Sequence, residues 1–318
     1  MESGGWALFP RIARIVCGLL LALGLAVSAC GSQARYKRVS LQPATRQPPA
    51  TTPATEPPGL RVAVAAILAP QTTAHDYDPL IAYLAKHLGR PAQLVQRATY
   101  AETNELLRTG QVDLAFVCTG AYVQGHKEFG MELLVVPEIR GKTTYQSYII
   151  VPGNSAAQTL DDLRGRVFAY TDPMSLSGYL VPLFALISQG KGTADTYFGR
   201  TLFTYSHENS IKAVSEGWVD GAAVDSLVYD AVVARNPNYS KATRIIWRSE
   251  PYGAPPAVVA PGLDDAVKEQ LRLLLLQMDQ SDEGRQVLAL LGVDRFVQPD
   301  DSLYDSARAL LNAVGAVR

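Results

Sequence analysis

Val167 to Leu186 reads VFAYTDPMSLSGYLVPLFAL, and this stretch decides how the rest of the chain is read. Its first four residues are apolar β-formers, which predicts a buried strand that stops at Thr171-Asp172-Pro173. An apolar helical pattern starts after Ser177-Gly178, so Ser175 and Ser177 sit where a helix begins. The first N–H groups of a helix have no intrahelical partner and carry the positive end of its dipole. A strand, a short polar loop and a helix start therefore make a site for an anion. The plain alternative is that either serine is an N-cap, and for this stretch alone that account is sufficient.

The chain's ends bound the problem. Residues 1–29 have a basic start at Arg11 and Arg14, an apolar run from Ile15 to Ala26, and small residues before Cys30. The apolar run is too short for an ordinary membrane span and reads as an export signal. Val27-Ser28-Ala29-Cys30 resembles a bacterial lipobox, which would make Cys30 a lipidated N-terminus; a plain signal peptide is the alternative. Residues 30–58 are rich in Pro and Thr with few large apolar groups. Such a segment buries too little surface to offset its ordering entropy and reads as a disordered tether. The remaining residues, 59–318, suffice for two lobes. A formal net charge of −1 gives no basic field for nucleic acid. Of three cysteines only Cys118 falls in this part, so no internal disulfide can form there, and no Cys/His cluster has metal-ligand spacing.

Strands are predicted at Arg61–Ile67, Gln93–Gln96, Asp113–Val117, Leu133–Ile139 and Ser147–Val151, with a helix opening at Pro79 after a polar loop. The alternation then restarts, with strands at Arg166–Tyr170, Leu202–Tyr205, Gly221–Val224 and Arg244–Trp247. Alternating strands and helices argue for α/β lobes with parallel sheets covered on both faces. The expected division is a first lobe from 59–148, a second from 149–247, and a return to the first at 248–318. Ser147–Val151 and Thr243–Ser249 are expected to cross between them.

Ligands of open α/β sheets bind beyond the carboxyl ends of the strands. That rule selects Tyr77, Thr119 and Tyr122 in the first lobe. In the second it selects Ser175, Ser177 and Gly178, then His207, Asp225 and Ser226. Each alone is explained as a cap or turn residue; an imidazole, a carboxylate and several hydroxyls together point to a polar ligand.

These residues lie in segments that resemble a known family. DPMSLSGYLVP (172–182), SHENSIKAV (206–214) and AAVDSLVYD (222–230) look like the phosphate/phosphite/phosphonate substrate-binding proteins of ABC transporters, the PhnD type. YDPLIAYLAKHLG (77–89), VDLAFVCTGAYV (112–123) and GRQVLALLGVDRFV (284–297) are similar to the same group. The resemblance implies a type II periplasmic-binding-protein fold, in which two Rossmann-like lobes on a hinge close over a phosphorus oxyanion. It implies that Ser175 and Ser177 hold the phosphorus oxygens with nearby amides, that His207 donates, and that Asp225 accepts from the ligand's protonated oxygen. Tyr77 matches an aromatic wall, and Tyr122 a further one. Leu176 departs from the Ser-Thr-Ser of comparable members and removes one oxygen ligand. The implied partners are a permease and an ATPase, with no cofactor and no nucleic acid, for a monomer tethered to the membrane through its N-terminal lipid. Two other readings stay open. One is a sensor lipoprotein on the same fold. The other is a Ser/His/Asp hydrolase, although the G-x-S-x-G elbow is missing around both serines.

Overall fold

A computed structural model of the protein describes residues 59–315. The expected signal peptide, the expected lipidation at Cys30 and the expected tether fall on residues outside those described. Thirteen strands are described, and the eleven longest form two sheets.

The first sheet has the order β13-β4-β12-β3-β1-β2. Its members are β1 (Leu60–Val64), β2 (Ala92–Gln96), β3 (Leu114–Phe116), β4 (Glu132–Glu138), β12 (Ala257–Val259) and β13 (Arg295–Val297). β1 pairs in parallel with β2 and β3, with Val62 opposite Leu94 and Leu114. Leu60, Val62 and Val64 pack with Leu80, Leu84 and Leu271 on one face. Ala63 and Ala65 join Tyr100 and Leu107 on the other. Side chains alternate across a strand, so an almost continuous apolar run serves both faces.

The second sheet has the order β10-β6-β9-β7-β8. Its strands are β6 (Ser147–Pro152), β7 (Val167–Tyr170), β8 (Arg200–Phe203), β9 (Gly221–Asp225) and β10 (Thr243–Arg248). β7 pairs in parallel with β8 and β9. Both sheets are mixed rather than parallel, because β6 and β12, which bring the chain into a lobe from the other, run antiparallel to their neighbours.

The crossings also differ from expectation. Ser147–Pro152 and Thr243–Arg248 are paired strands within the second sheet. The chain passes between lobes through a two-stranded antiparallel ribbon, β5 (Thr144–Tyr145) with β11 (Tyr252–Gly253). Two residues per strand carry too little pattern to be seen in the sequence.

The first helix is Pro70–Leu88, with Pro79 inside it, so Tyr77 is helical rather than in a loop. Pro79 suits a helix start, but Pro70 takes that role. The polar first turn is held from the second lobe: the Glu208 carboxylate accepts from the Ala69 N–H at 3.0 Å and from the Thr72 hydroxyl at 3.3 Å. A carboxylate at a helix N-terminus is favoured by the dipole.

The last helix, Asp305–Gly315, does not stay with the first lobe. It packs on Thr119–Phe129 of the first lobe and on Val181–Ser188 of the second. Ala307, Leu310 and Val314 thus join a buried cluster that holds residues of both lobes. Among the described residues no helix is long and apolar enough to cross a membrane.

Candidate functional site

Five helical segments start beside one another where the two lobes meet, each just after the carboxyl end of a strand. They are Tyr100–Arg108 after β2, Thr119–Phe129 after β3, Leu176–Leu180 after β7, His207–Ser215 after β8 and Ser226–Arg235 after β9. Their N-terminal dipoles supply positive potential without a lysine or arginine side chain.

Ser175 caps the third of these. Its Oγ accepts the Gly178 N–H at 3.0 Å, and the turn that follows is a π-helix, a widened form common at functional sites. Gly178 is fixed by crowding: a Cβ there would lie 2.5 Å from the Thr171 Oγ1. Ser177, one residue earlier, is buried, and its hydroxyl has no partner. Leu176 is fully buried in the core.

His207 and Asp225 meet through a backbone bond. The Asp225 N–H donates to Nδ1 of His207 at 3.0 Å, which makes Nδ1 an acceptor and leaves the ring proton on Nε2. Burial lowers the His207 pKa to about 3, so the ring is neutral and Nε2–H is a donor. The Asp225 carboxylate caps its own helix, with Oδ1 accepting from the N–H groups of Leu227 and Val228. Burial nevertheless raises its pKa to about 7.

Two tyrosines absent from the expected site complete it. Tyr100 and Tyr145 are buried, and neither hydroxyl has a partner. Burial is the main cause raising both pKa values, followed by nearby Cys118, with Asp225 contributing to each. Tyr145 also lies close enough to Thr119 and Ser177 to feel their hydroxyls, without a hydrogen bond of normal geometry. Burying a hydroxyl without a partner costs roughly 1–3 kcal/mol. Tyr100, Tyr145 and Ser177 are thus candidate donors to a ligand, with the Asp225 carboxyl close to the two tyrosines. Tyr100 is the first helical residue after β2, so the strand-end rule would have found it. Tyr145 lies on the crossing ribbon, where no rule pointed.

The remaining expected residues divide. Thr119 is buried and its hydroxyl donates to the Gly253 carbonyl at 2.8 Å, which ties the helix start to the ribbon. The Ser226 Oγ accepts the Gln146 N–H at 3.0 Å and anchors the same crossing. Tyr77 packs on Phe116 and lines an apolar cavity that reaches Asp225. Tyr122 corrects the expectation. Its hydroxyl donates to Asp301 at 2.7 Å and its ring packs edge-on against Tyr304. One turn into a helix, it faces the core rather than the strand end. Tyr122→Phe is expected to lower stability by about 1 kcal/mol, the worth of one hydrogen bond, and to leave ligand affinity within twofold by calorimetry.

Several contacts hold the lobes together here. The His207 N–H donates to the Ile67 carbonyl at 3.0 Å, and the Tyr100 N–H to the Asp172 carboxylate at 3.1 Å. At the rim Arg235 pairs with buried Asp76 at 2.7 Å and Arg140 with Asp230 at 2.9 Å. Gly120 faces the second lobe so closely that a Cβ would lie 2.3 Å from the Met174 carbonyl oxygen. The lobes are therefore closed over the site. Among the described residues no group of three or more His, Cys, Asp or Glu could hold a metal.

Comparison with known proteins places the fold. The chain is 28% identical over 212 residues to a phosphate-import protein of Mycolicibacterium smegmatis, covering 63% of this chain and 66% of that protein. It is 25% identical over 221 residues to a phosphonates-binding periplasmic protein of Escherichia coli, covering 68% and 65%. The chain thus spans about two thirds of the length of the curated relatives it matches. In fold it is similar to the binding component of a phosphonate ABC transporter from Pseudomonas aeruginosa, with a TM-score of 0.77 at 24% identity over 81% of this chain and 87% of that one. A family model matches residues 62–304, and the chain belongs to that family, the periplasmic substrate-binding proteins of phosphonate ABC transporters.

Proposed function

We propose that this protein is the receptor of an ABC importer that captures a small phosphorus oxyanion between its lobes and hands it to a membrane permease. The observation that carries this reading is the group of buried, unpartnered hydroxyls of Tyr100, Tyr145 and Ser177 beside Asp225. Hydroxyls, helix N-terminal amides and the His207 Nε2–H donate to phosphoryl oxygens. Asp225, with a pKa of about 7, shares a proton with the one oxygen that carries it. A phosphoryl group has a second pKa near 6 and still offers a P–OH close to neutrality; sulfate does not. Hydrogen bonds to a charged partner contribute about 1.5–3 kcal/mol each. Ser177→Ala is accordingly expected to weaken binding of methylphosphonate or phosphate by roughly 10- to 100-fold. Calorimetry giving an unchanged affinity would remove Ser177 from the site.

Turnover is argued against by how the three triad-like groups are used. The Asp225 carboxylate caps its own helix, and it is the Asp225 amide that meets His207. Thr171 Oγ1 also lies 3.0 Å from the same His207 nitrogen. The lipobox at Cys30 and the tether support export and attachment to the outer face of a membrane, with the folded part acting as a monomer. Replacing Cys30 by Ala should release the protein into the soluble fraction, and a protein that stays with the membrane would remove that anchor.

A further inference from the structure

The site has a second compartment that an inorganic anion does not use. A cavity of about 140 Å³ opens beside Asp225 between the lobes. Val64, Tyr77, Phe116 and Phe296 line it from the first lobe, and Leu227 and Val228 from the second. Its polar groups stand apart: Asp225, which also belongs to the anion site, and the Asp76–Arg235 ion pair. Water is poorly held by such walls, since a buried water needs two to four polar partners. An apolar cavity of about 150 Å³ is large enough to take benzene, so this one suits a phenyl ring or a short alkyl chain.

We propose that the ligand is an organophosphorus anion with an apolar substituent about the size of a phenyl or butyl group, its headgroup among the hydroxyls and its substituent in this cavity. The proposal rests on the preceding functional reading and adds the ligand's second half. Asp225 is the junction: its carboxyl shares a proton with the headgroup, and the same residue lines the apolar compartment.

The test is calorimetry of the protein with phosphate, methylphosphonate, n-butylphosphonate, phenylphosphonate and phenyl phosphate. Each buried methylene is worth roughly a fourfold gain, so butylphosphonate is expected to bind about 60-fold tighter than methylphosphonate, with phenylphosphonate in the same range. Phenyl phosphate matching phenylphosphonate supports the proposal for either linkage, and much weaker phenyl phosphate supports it for a direct carbon–phosphorus bond. Val228→Phe fills the cavity with protein and should bring the phenyl-to-methyl affinity ratio to one or below. Phosphate or methylphosphonate binding as tightly as the larger ligands overturns this proposal alone, as does an unchanged ratio in a folded Val228→Phe. No binding by any of the five overturns the functional reading as well.

Discussion

Gly120→Val is expected to weaken ligand binding by 100-fold or more while the protein still folds. The cause is steric and sits between the lobes. A Cβ on Gly120 would lie 2.3 Å from the Met174 carbonyl oxygen and 3.0 Å from the Leu176 nitrogen. Both are backbone atoms, so no side-chain rotation relieves the clash. Gly120 is in the first turn of Thr119–Phe129, and Met174 belongs to the loop that carries Ser175 and Ser177. The helix tolerates valine, whose helix propensity is better than that of glycine, and an opened cleft removes the clash altogether. The closed form, in which both lobes contact the ligand, is the one that is lost. A 100-fold loss corresponds to about 2.7 kcal/mol, within the range of forced overpacking. Calorimetry should be paired with a thermal melt of the ligand-free protein. An affinity within threefold of wild type would show that closure tolerates the added side chain.

The second large effect is in pH. Asp225 has its pKa raised to about 7 by burial, and the ligand's second ionisation lies near 6. Below these values at least one proton is present on the carboxyl or the phosphoryl oxygen, and a hydrogen bond can form. Above both, two anions face each other in a low-dielectric site. Binding then requires a proton from solvent, so affinity is expected to fall up to tenfold per unit as pH rises beyond 7. Asp225→Asn keeps the helix cap and removes the titrating group. It should flatten that slope and lower the preference for phosphate over sulfate by 10-fold or more. A variant with the wild-type slope and ratio would take Asp225 out of the selectivity.

The same shifts act on stability in the ligand-free protein. Asp225 has a raised pKa, so its stabilising share is full below pH 3.8 and is lost as pH rises toward 7. His207 is buried and neutral, with its pKa lowered from 6.5 to about 3. Its share is full above pH 6.5 and is lost as pH falls toward 3. A melting series of His207→Gln against wild type should show the variant losing less stability between pH 6.5 and 4. Equal losses would mean that the ring is not held neutral.

How far the sequence carried the reading can be seen residue by residue. Strand periodicity gave the alternation of both lobes, because β1 and β7 are buried on both faces and allow few polar residues. The rule that ligands lie beyond strand ends selected Ser177, His207 and Asp225, which the fold leaves buried at strand ends, since position on a parallel sheet fixes which residues face the cleft. It misplaced Tyr122 because three residues into a helix the direction of a side chain depends on which face meets the core. It missed Tyr145 because two-residue strands leave no periodicity. The start of Pro70–Leu88 was hidden for another reason: its polar first turn is held by Glu208, 139 positions away in sequence from Ala69. Gly120 gave no signal, as its need for a bare Cα comes from the other lobe.

Tyr145 gives the crossing ribbon a second meaning. The residue sits on the pivot, pairs with Tyr252, and points its free hydroxyl at the site. Thr119 fastens the neighbouring Gly253 to the first helix turn behind it. A ligand held by Tyr145 would therefore touch the segment that joins the lobes and, through the Thr119–Gly253 hydrogen bond, the first turn of a helix that begins at the cleft.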